Sequence, residues 1–453
     1  MAHIVIIGNG ISGITTARYV RKKSDDRITV ISSETDHFYS RTALMYIYMG
    51  HMKYEHTKPY EDWFWEKNNI ELKRGYVSNI DYDNKKLSFQ EGGDMSYDKL
   101  VLAVGSKSNK FGWKGQDLDG VQGLYNYQDL ELLEKNTNPP NTPEGKGRVK
   151  RGVIVGGGLI GVELAEMLHS RNIDVTFLVR ENAFWGNVLP AEEGKLVMRH
   201  LIEHHVDMRL QSELEEIIPD SEGRVKAIKT KSGDIIDCEF VGLTAGVSPN
   251  IDFLKGGKLE CNRGILVDRF LQTNIPDVYA LGDCAEQRQG IGRRRPLEQV
   301  WYTGKNMGMA LASTLTGNPV EYNPGNWFNS AKFFDIEYQT YGWVMNMPGE
   351  DEDKFYWEDE EGKICLKIIY NKSSKKFIGL NVFGIRIRHE IMDRWLTAGK
   401  DVYYILEHLK DANFDPEFYK HYEVEIISKF NRENGTSLSA AKKSWRRIFQ
   451  KTD

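Results

Sequence analysis

The chain has 453 residues, with 60 basic and 65 acidic side chains and a formal net charge of −5. This balance excludes a generally basic surface of the kind that coats nucleic acid. Charged residues make up 28% and aromatic residues 11%, which excludes a disordered chain. The length predicts about three domains.

The cysteines are few and far apart, so no CxxC or CxxxxC pair exists. This argues against a structural zinc site, a secreted disulfide scaffold and a local redox dithiol, and it predicts a reducing, cytoplasmic location. No apolar run reaches the roughly 18–20 residues needed to span a bilayer. A strand is predicted from His3, so we expect no signal peptide. The four cysteines are Cys238, Cys261, Cys284 and Cys365.

The first motif is VIIGNGISGITTARYVRKK, which begins at Val5. It predicts a strand, a glycine turn and a helix, in the pattern GxGxxG. The first glycine permits the tight turn, the second lets the backbone approach a pyrophosphate, and the third lets helix and strand pack closely. The helix N-terminus adds amide donors and a partial positive charge. These glycines are Gly8, Gly10 and Gly13.

A second strand, Ile28–Ser32, follows this helix, and Glu34 lies just beyond it. In a dinucleotide-binding unit, an acidic residue here accepts hydrogen bonds from the ribose hydroxyls. We therefore expect Glu34 to contact a ribose, the alternative being a solvated loop carboxylate.

The second motif, VIVGGGLIGVELAEMLHSR from Val153, nearly repeats the first, and the strand Val175–Val179 follows it. Two such units predict either two bound dinucleotides or two halves of one site. The glycines of this copy are Gly156, Gly158 and Gly161.

Arg180 and Glu181 follow the strand at the position that would meet the ribose 2′ group. An arginine accommodates the 2′-phosphate of NADP, whereas an acidic side chain favours NAD. Arg180 and Glu181 favour different nucleotides, so the choice between NADH and NADPH stays open.

Together these fragments resemble the flavoprotein superfamily of pyridine-nucleotide-dependent reductases, in order and spacing from His3 to about Gly317. The resemblance implies that the first glycine motif binds FAD and that the second binds NADH or NADPH in an inserted domain. The phrase TNIPDVYALGDCAE, on its own an ordinary strand and turn, then implies that Asp283 contacts the ribityl chain of the flavin.

Two further phrases extend this resemblance. YDKLVLAVGSKSN places Ala103 and Gly105 in a conserved turn of the superfamily, and LTAGVSPN places Gly246 where the nucleotide domain closes. Glu163, two residues after the second motif, matches a glutamate that lies near the nicotinamide. The resemblance implies an orienting role for Glu163, the alternative being an exposed helix glutamate.

The region after Glu34 distinguishes the branches of the superfamily. Disulfide reductases carry a CxxxxC pair beside the flavin, and related enzymes carry one cysteine, but Thr42 occupies that position here. The C-terminal His-Pro-Thr phrase of disulfide reductases is also absent. Thiolate chemistry is therefore excluded at this position.

The phrase Tyr39-Ser-Arg-Thr-Ala-Leu44 resembles the ferredoxin, rubredoxin and nitrite reductase flavoprotein group. A later tryptophan–phenylalanine phrase, in the stretch that starts at Asn326, is similar to one found in relatives of apoptosis-inducing factor. The first resemblance implies that Arg41 contacts the FAD pyrophosphate, which suits a bidentate guanidinium. The alternative is a surface arginine. Tyr46 departs from the group, whose members often carry a lysine near flavin N5.

PLEQVWYTGKNMGMALASTLTG, from Pro296, resembles the helix whose N-terminus points at the flavin. Gln299 and Trp301 are its expected cofactor contacts, although Trp301 could equally pack in the core. The basic run Arg293–Arg295 just before it could attract an acidic iron–sulfur protein or lie in a solvated loop.

We therefore predict an α/β protein with two Rossmann-like dinucleotide-binding domains and a C-terminal α+β domain. The FAD domain is split, the NAD(P)H domain is inserted in it, and no resident metal is expected. The boundaries are 1–119 and 251–324 for the FAD domain, 120–250 for the NAD(P)H domain and 325–453 for the C-terminal domain.

The predicted function is hydride transfer from NADH or NADPH to FAD, followed by electron transfer to a small redox protein such as a ferredoxin or rubredoxin. One alternative is a quinone reductase that a basic terminal helix, within Ser439–Asp453, binds to a membrane surface. Another is a slow nucleotide-sensing flavoprotein similar to apoptosis-inducing factor. The acidic segment 350–361 predicts a solvated hairpin, or a docking face for a basic partner.

Overall fold

The computed structural model describes residues 1–137, 149–414 and 420–441. The chain divides into two units. The larger unit consists of Met1–Glu181 and His205–Gly325, and the smaller consists of Asn182–His204 and Asn326–Asp453.

The first sheet of the larger unit is parallel and has five strands. Its central strand, His3–Ile7, has a run of β-branched residues that are buried on both faces, which is the usual composition of a parallel strand. The helix Ile11–Arg21 connects this strand to the next one. In spatial order the strands are Val278–Ala280, Lys99–Leu102, His3–Ile7, Arg27–Ser32 and Ile70–Arg74.

The second sheet of this unit is built in the same way. The helix Leu159–His169 follows its central strand, as the repeat of the motif predicted. In spatial order the strands are Asp207–Leu210, Asp174–Val179, Arg151–Val155, Phe240–Leu243 and Val121–Gln122.

A short antiparallel ribbon joins the parts of the chain that hold these two sheets. Ser106–Ser108 leads away from the first sheet, Val247–Pro249 leads back, and the two segments pair residue by residue. The sequence between them contains the whole second sheet.

Smaller elements complete this unit. The remaining strands are Val77–Asp81, Lys86–Phe89, Asp94–Ser96, Leu214–Pro219, Val225–Thr230, Ile235–Asp237, Ile265–Val267 and Ala285–Gln287. The remaining α-helices are Leu44–Tyr48, Trp63–Lys67, Tyr127–Thr137 and Trp301–Leu315.

The smaller unit has one antiparallel sheet and four described helices. The acidic segment forms the predicted hairpin, because Glu352–Glu358 is an edge strand paired only with Cys365–Asn371. In spatial order the strands are Phe328–Phe333, Ile336–Gly342, Phe377–Phe383, Cys365–Asn371 and Glu352–Glu358. The helices are Ala191–Glu203, His389–Thr397, Val402–His408 and Glu423–Asn434.

This architecture confirms the predicted fold class, with two parallel sheets and a C-terminal antiparallel sheet. The three-domain division itself stays a prediction. Its inserted domain, 120–250, includes Asn182–His204, which the structure groups with the C-terminal part of the chain. The basic terminal segment from Lys442 to Asp453 lies outside the described residues. Of the helices within the described ranges, none is long and apolar enough to cross a membrane.

Candidate functional site

One cavity of about 480 Å³ opens at the carboxyl ends of the strands in the first parallel sheet. This edge is where open α/β sheets place their ligands. Ten of the residues predicted for the site line it, together with Ile160 from the second glycine motif. The ten are Gly8, Gly10, Glu34, Arg41, Ala103, Gly105, Glu163, Asp283, Gln299 and Trp301.

The glycines of the first motif have three different environments. Gly8 has a φ of +115°, and a Cβ there would lie 2.1 Å from the carbonyl oxygen of Ala103. A Cβ on Gly13 would lie 2.1 Å from the carbonyl oxygen of Gly8, so this glycine packs helix against turn and does not line the cavity. A Cβ on Gly10 would meet no atom within 4 Å. Gly10 therefore leaves room for a ligand to approach the backbone at the helix N-terminus.

The second motif reproduces this pattern. Gly156 has a φ of +119° and lies against the backbone of Thr244, while Gly161 packs against Gly156 and Phe177. A Cβ on Gly158 would again meet no atom within 4 Å. These three glycines are not among the residues lining the cavity, which the following helix reaches through Ile160 and Glu163.

Glu34 and Arg41 form a bidentate ion pair at the cavity wall. The guanidinium Nη1 and Nη2 atoms donate to the two carboxylate oxygens at 3.0 and 2.7 Å. The Tyr39 hydroxyl donates to Glu34 at 2.5 Å, and the Tyr127 amide donates at 3.0 Å. Arg41 also donates to the carbonyl oxygen of Tyr125 at 2.8 Å.

These contacts determine the charge state of the pair. Burial opposes ionisation of Glu34, but Arg41 and the two tyrosine donors outweigh it, so the pKa of Glu34 is lowered. The attraction of Glu34 likewise raises the pKa of Arg41, against the effect of burial. Both groups are therefore charged, and the carboxylate oxygens predicted to meet a ribose already accept four hydrogen bonds. The cofactor contacts of both residues stay predictions.

Asp283 ends a chain of polar contacts that the sequence did not reveal. The Gln299 amide donates to the Ser106 hydroxyl at 2.6 Å, and the Ser106 backbone amide donates to the Tyr125 hydroxyl at 3.0 Å. That hydroxyl donates to Asp283 at 3.0 Å. Burial raises the pKa of Asp283. Tyr125 follows a strand of only two residues, so no pattern in the sequence marks it.

The helix Trp301–Leu315 begins at the cavity, and the expectation that its N-terminus faces a flavin stays a prediction. Its N-cap residue, Val300, provides no side-chain cap, so the partial positive charge of the first turn faces the cavity beside Gln299 and Trp301. This end of the helix can stabilise a negative charge in the cavity.

Glu163 lines the cavity from the helix Leu159–His169 of the second motif, of which it is the fifth residue. Burial, with a smaller effect from the neighbouring Glu166, raises the pKa of Glu163 to about 7. Its carboxyl group therefore titrates near neutral pH.

No cysteine is among the residues that line the cavity within the described part of the chain. Thr42 lines it at the position where related enzymes carry a thiol. Cys238, Cys284 and Cys365 are buried thiols, and burial raises their pKa values. The cavity thus offers no thiolate nucleophile.

The remaining predicted residues lie outside the cavity lining. Arg180 is exposed and pairs with Glu181 at 2.9 Å, so a cation and an anion occupy the strand end together. Gly246 adopts a φ of +89° near the Asn109 side chain.

The basic run before the helix Trp301–Leu315 is not uniformly solvated. Arg294 forms a bidentate pair with Glu298 at 2.6 Å, and both side chains are only 9% exposed. Arg293 and Arg295 are exposed. The ion pair of Arg294 therefore fixes this loop to Glu298, whereas Arg293 and Arg295 lie at the surface.

A family profile described as pyridine nucleotide-disulphide oxidoreductase matches residues 2–308, more than half of the chain. The chain belongs to this family of pyridine-nucleotide-dependent oxidoreductases. The site described above differs from the family's name in one respect, since its cavity contains no disulfide.

Two curated relatives and one solved structure are similar to this chain. The chain is 26% identical to the NAD(P)H nitrite reductase of Bacillus subtilis over 97% of its own length, but it spans only about half (50%) of that protein. It is 30% identical to the rubredoxin-NAD(+) reductase of Acinetobacter baylyi, with 63% of this chain and 72% of that protein covered. The ferredoxin reductase for the CYP199A2 system of Rhodopseudomonas palustris has the same fold, with a TM-score of 0.77, 20% identity, and coverage of 95% and 100%.

The ion pair at the cavity wall predicts an asymmetric effect of mutation. Arg41→Met leaves the Glu34 carboxylate without its cation, and we expect it to lower the free energy of unfolding by about 2 kcal/mol. Adding Glu34→Gln removes the uncompensated charge and should recover at least about 1 kcal/mol. Urea unfolding measures both values.

The exposed pair of Arg27 and Glu71, at 60% and 46% exposure, provides the control. Arg27→Met should change the stability by less than about 1 kcal/mol, because solvent screens that pair. A double variant of Arg41 and Glu34 that is no more stable than Arg41→Met would contradict the interpretation of this pair.

Proposed function

We propose that this protein is an FAD-dependent NAD(P)H oxidoreductase that passes electrons from its flavin to a small iron–sulfur protein, such as a ferredoxin or rubredoxin. The observation that carries the proposal is the single cavity onto which the turn of the first glycine motif and the first helical turn of the second both open. A site for a flavin and a site for a nicotinamide would therefore meet there.

The residues present fit FAD. Gly10 leaves open space at a helix N-terminus for a pyrophosphate, and Arg41 supplies a charged guanidinium at the wall. Asp283 offers a carboxylate for hydroxyl groups of the ribityl chain, and Trp301 begins a helix whose positive end suits a reduced isoalloxazine ring. When bound, FAD supplies the capacity to accept a hydride and to release electrons singly.

The protein residues bind and orient; none of them carries electrons. With no thiol in the cavity lining, the electrons must leave directly from the flavin to an external acceptor. The rubredoxin reductase and ferredoxin reductase among the relatives act on such acceptors by name. The exposed Arg293 and Arg295, beside the helix that begins at the cavity, suit an acidic partner.

A test of the cofactor site uses two glycines that both have room for a methyl group. Gly10→Ala should fold normally and bind FAD about tenfold more weakly, equal to about 1.4 kcal/mol, because its Cβ would occupy the space proposed for the pyrophosphate. The matched control is Gly257→Ala, at a glycine that also meets nothing within 4 Å and lies outside the cavity. Flavin content per chain and FAD titration measure the effect; equal affinity in both variants would argue against this placement.

The function itself is tested by anaerobic stopped-flow mixing of the flavin-loaded protein with NADH and with NADPH. We expect one nucleotide to bleach the flavin band within about a second. The preferred nucleotide shows whether Arg180 or Glu181 governs the 2′ position. Catalytic transfer to a rubredoxin or a ferredoxin should follow. Slow reduction with a persistent charge-transfer band would instead favour the nucleotide-sensing alternative, and fast reduction without transfer to either acceptor would contradict the proposed acceptor class.

Glu163 predicts a pH dependence of flavin reduction. Because its pKa is raised to about 7, its carboxyl group is neutral below that pH and negatively charged above it. The negative charge favours the cationic, oxidised nicotinamide, so we expect the reduction rate to rise as the pH increases through 7. Glu163→Gln should give a flat profile with a rate about tenfold lower at pH 8.

The control for this variant is Glu181→Gln, which removes a carboxylate outside the cavity lining. It should keep the transition near pH 7. A transition that persists in Glu163→Gln would assign the titration to another group.

A further inference from the structure

A second cluster of chemically active side chains lies in the smaller unit and takes no part in the proposed flavin chemistry. His200 and His204 are one helical turn apart, on the helix Ala191–Glu203 and at its C-cap, and Asp335 approaches both. Histidines at i and i+4 project from the same face of a helix, which is a recurrent arrangement for binding Zn²⁺.

The separations suit a common metal ligand sphere. The Nε2 atoms of His200 and His204 lie 2.5 and 3.4 Å from the same carboxylate oxygen of Asp335. One ligand atom from each residue can be chosen so that all lie within 4.8 Å of one another. Zinc bonds of about 2.0–2.1 Å place neighbouring tetrahedral ligands about 3.3 Å apart, so modest side-chain rotations suffice.

A carboxylate near His200 is placed to accept a hydrogen bond from the imidazole once a metal ion is bound. The His200 side chain is only 3% exposed, and its Nδ1 atom has no hydrogen-bond partner among the described residues. The Glu203 carboxylate lies 3.8 Å from that Nδ1. Metal-bound histidines commonly donate their other ring N–H to a carboxylate, and Glu203 is placed to receive it.

Asp335 lies in a short turn between two strands. It follows Phe334 in a two-residue hairpin loop between paired Phe333 and Ile336. Phe334 has a φ of +55°, and its buried ring stacks on His204 at 4.6 Å. The loop and the helix end are therefore held together by packing, while Asp335 itself is 71% exposed.

We propose that His200, His204 and Asp335 form a site for a divalent transition-metal ion, with Zn²⁺ as the preferred ion. Two imidazoles and one carboxylate suit Zn²⁺, whereas Mg²⁺ and Ca²⁺ require mainly oxygen ligands. The exposure increases from His200 through His204 to Asp335, so an ion can enter from solvent and keep a water molecule as its fourth ligand. The competing explanation is a histidine–aspartate ion pair that binds no metal.

The test is calorimetric titration of the full-length, flavin-loaded protein with ZnCl₂ after treatment with a chelator. We expect saturable binding of one Zn²⁺ per chain. His204→Gln and Asp335→Asn should each weaken it by at least about tenfold, since each removes one ligand. Asp335 is 71% exposed, so Asp335→Asn removes a ligand without removing packing, whereas His204→Gln also removes the stacking on Phe334; the Asp335→Asn result therefore separates the loss of a ligand from a loss of packing.

His205→Asn is the matched control, because His205 is the exposed neighbour of His204, lies outside the cluster and has a φ of +62° that asparagine tolerates. It should bind Zn²⁺ as the wild type does. Titration with CoCl₂ gives a second readout, since a tetrahedral Co²⁺ site should add absorption bands at wavelengths beyond the flavin band. Three results would overturn the proposal. They are binding of Zn²⁺ to the wild type without saturation, a wild-type affinity for Zn²⁺ no higher than that of His204→Gln, and a loss of Zn²⁺ affinity in His205→Asn as large as that in His204→Gln.

Discussion

The larger unit depends on the closeness of two backbones at the end of its central strand. Gly8 lies against the carbonyl of Ala103, and the distance leaves no room for any side chain. This contact brings the turn after the first strand next to the turn after its neighbour, so both face the same cavity. Gly156 makes the equivalent approach to Thr244 in the second sheet. The arrangement of the whole site follows from where these turns can meet.

Two ion pairs of the larger unit bring opposite charges into contact. Glu34 and Arg41 neutralise each other at the cavity wall, and Arg294 and Glu298 do so in the loop before the last helix. Glu163 differs, because the nearest charge named among the causes of its shift is another carboxylate, Glu166. A positively charged ring arriving in the cavity would therefore favour the ionisation of Glu163.

The sequence predicted the glycine turns, their strands and the helix at Trp301 well, because each signal is local: hydrophobic runs, a glycine spacing and a following helical pattern lie within about 30 residues. It did not predict what joins distant segments. Tyr125 meets Asp283 across 158 residues, and His200 meets Asp335 across 135. The run Arg293–Arg295 predicts either a surface for an acidic protein or a solvated loop, and nothing in three consecutive arginines shows that Arg294 pairs with a glutamate. Such contacts depend on tertiary packing, so no periodic pattern in the sequence indicates them.

The ribbon formed by Ser106–Ser108 and Val247–Pro249 has a consequence for how the chain could be shortened. Paired strands lie about 5 Å apart, so the intervening stretch enters and leaves the first sheet at nearly the same point. A segment with adjoining ends can be gained, lost or exchanged as one block without moving the strands on either side. A deletion that joins Ser106–Ser108 directly to Val247–Pro249 would therefore bridge only that short distance, although it would also remove Asn182–His204, which groups with the C-terminal part of the chain.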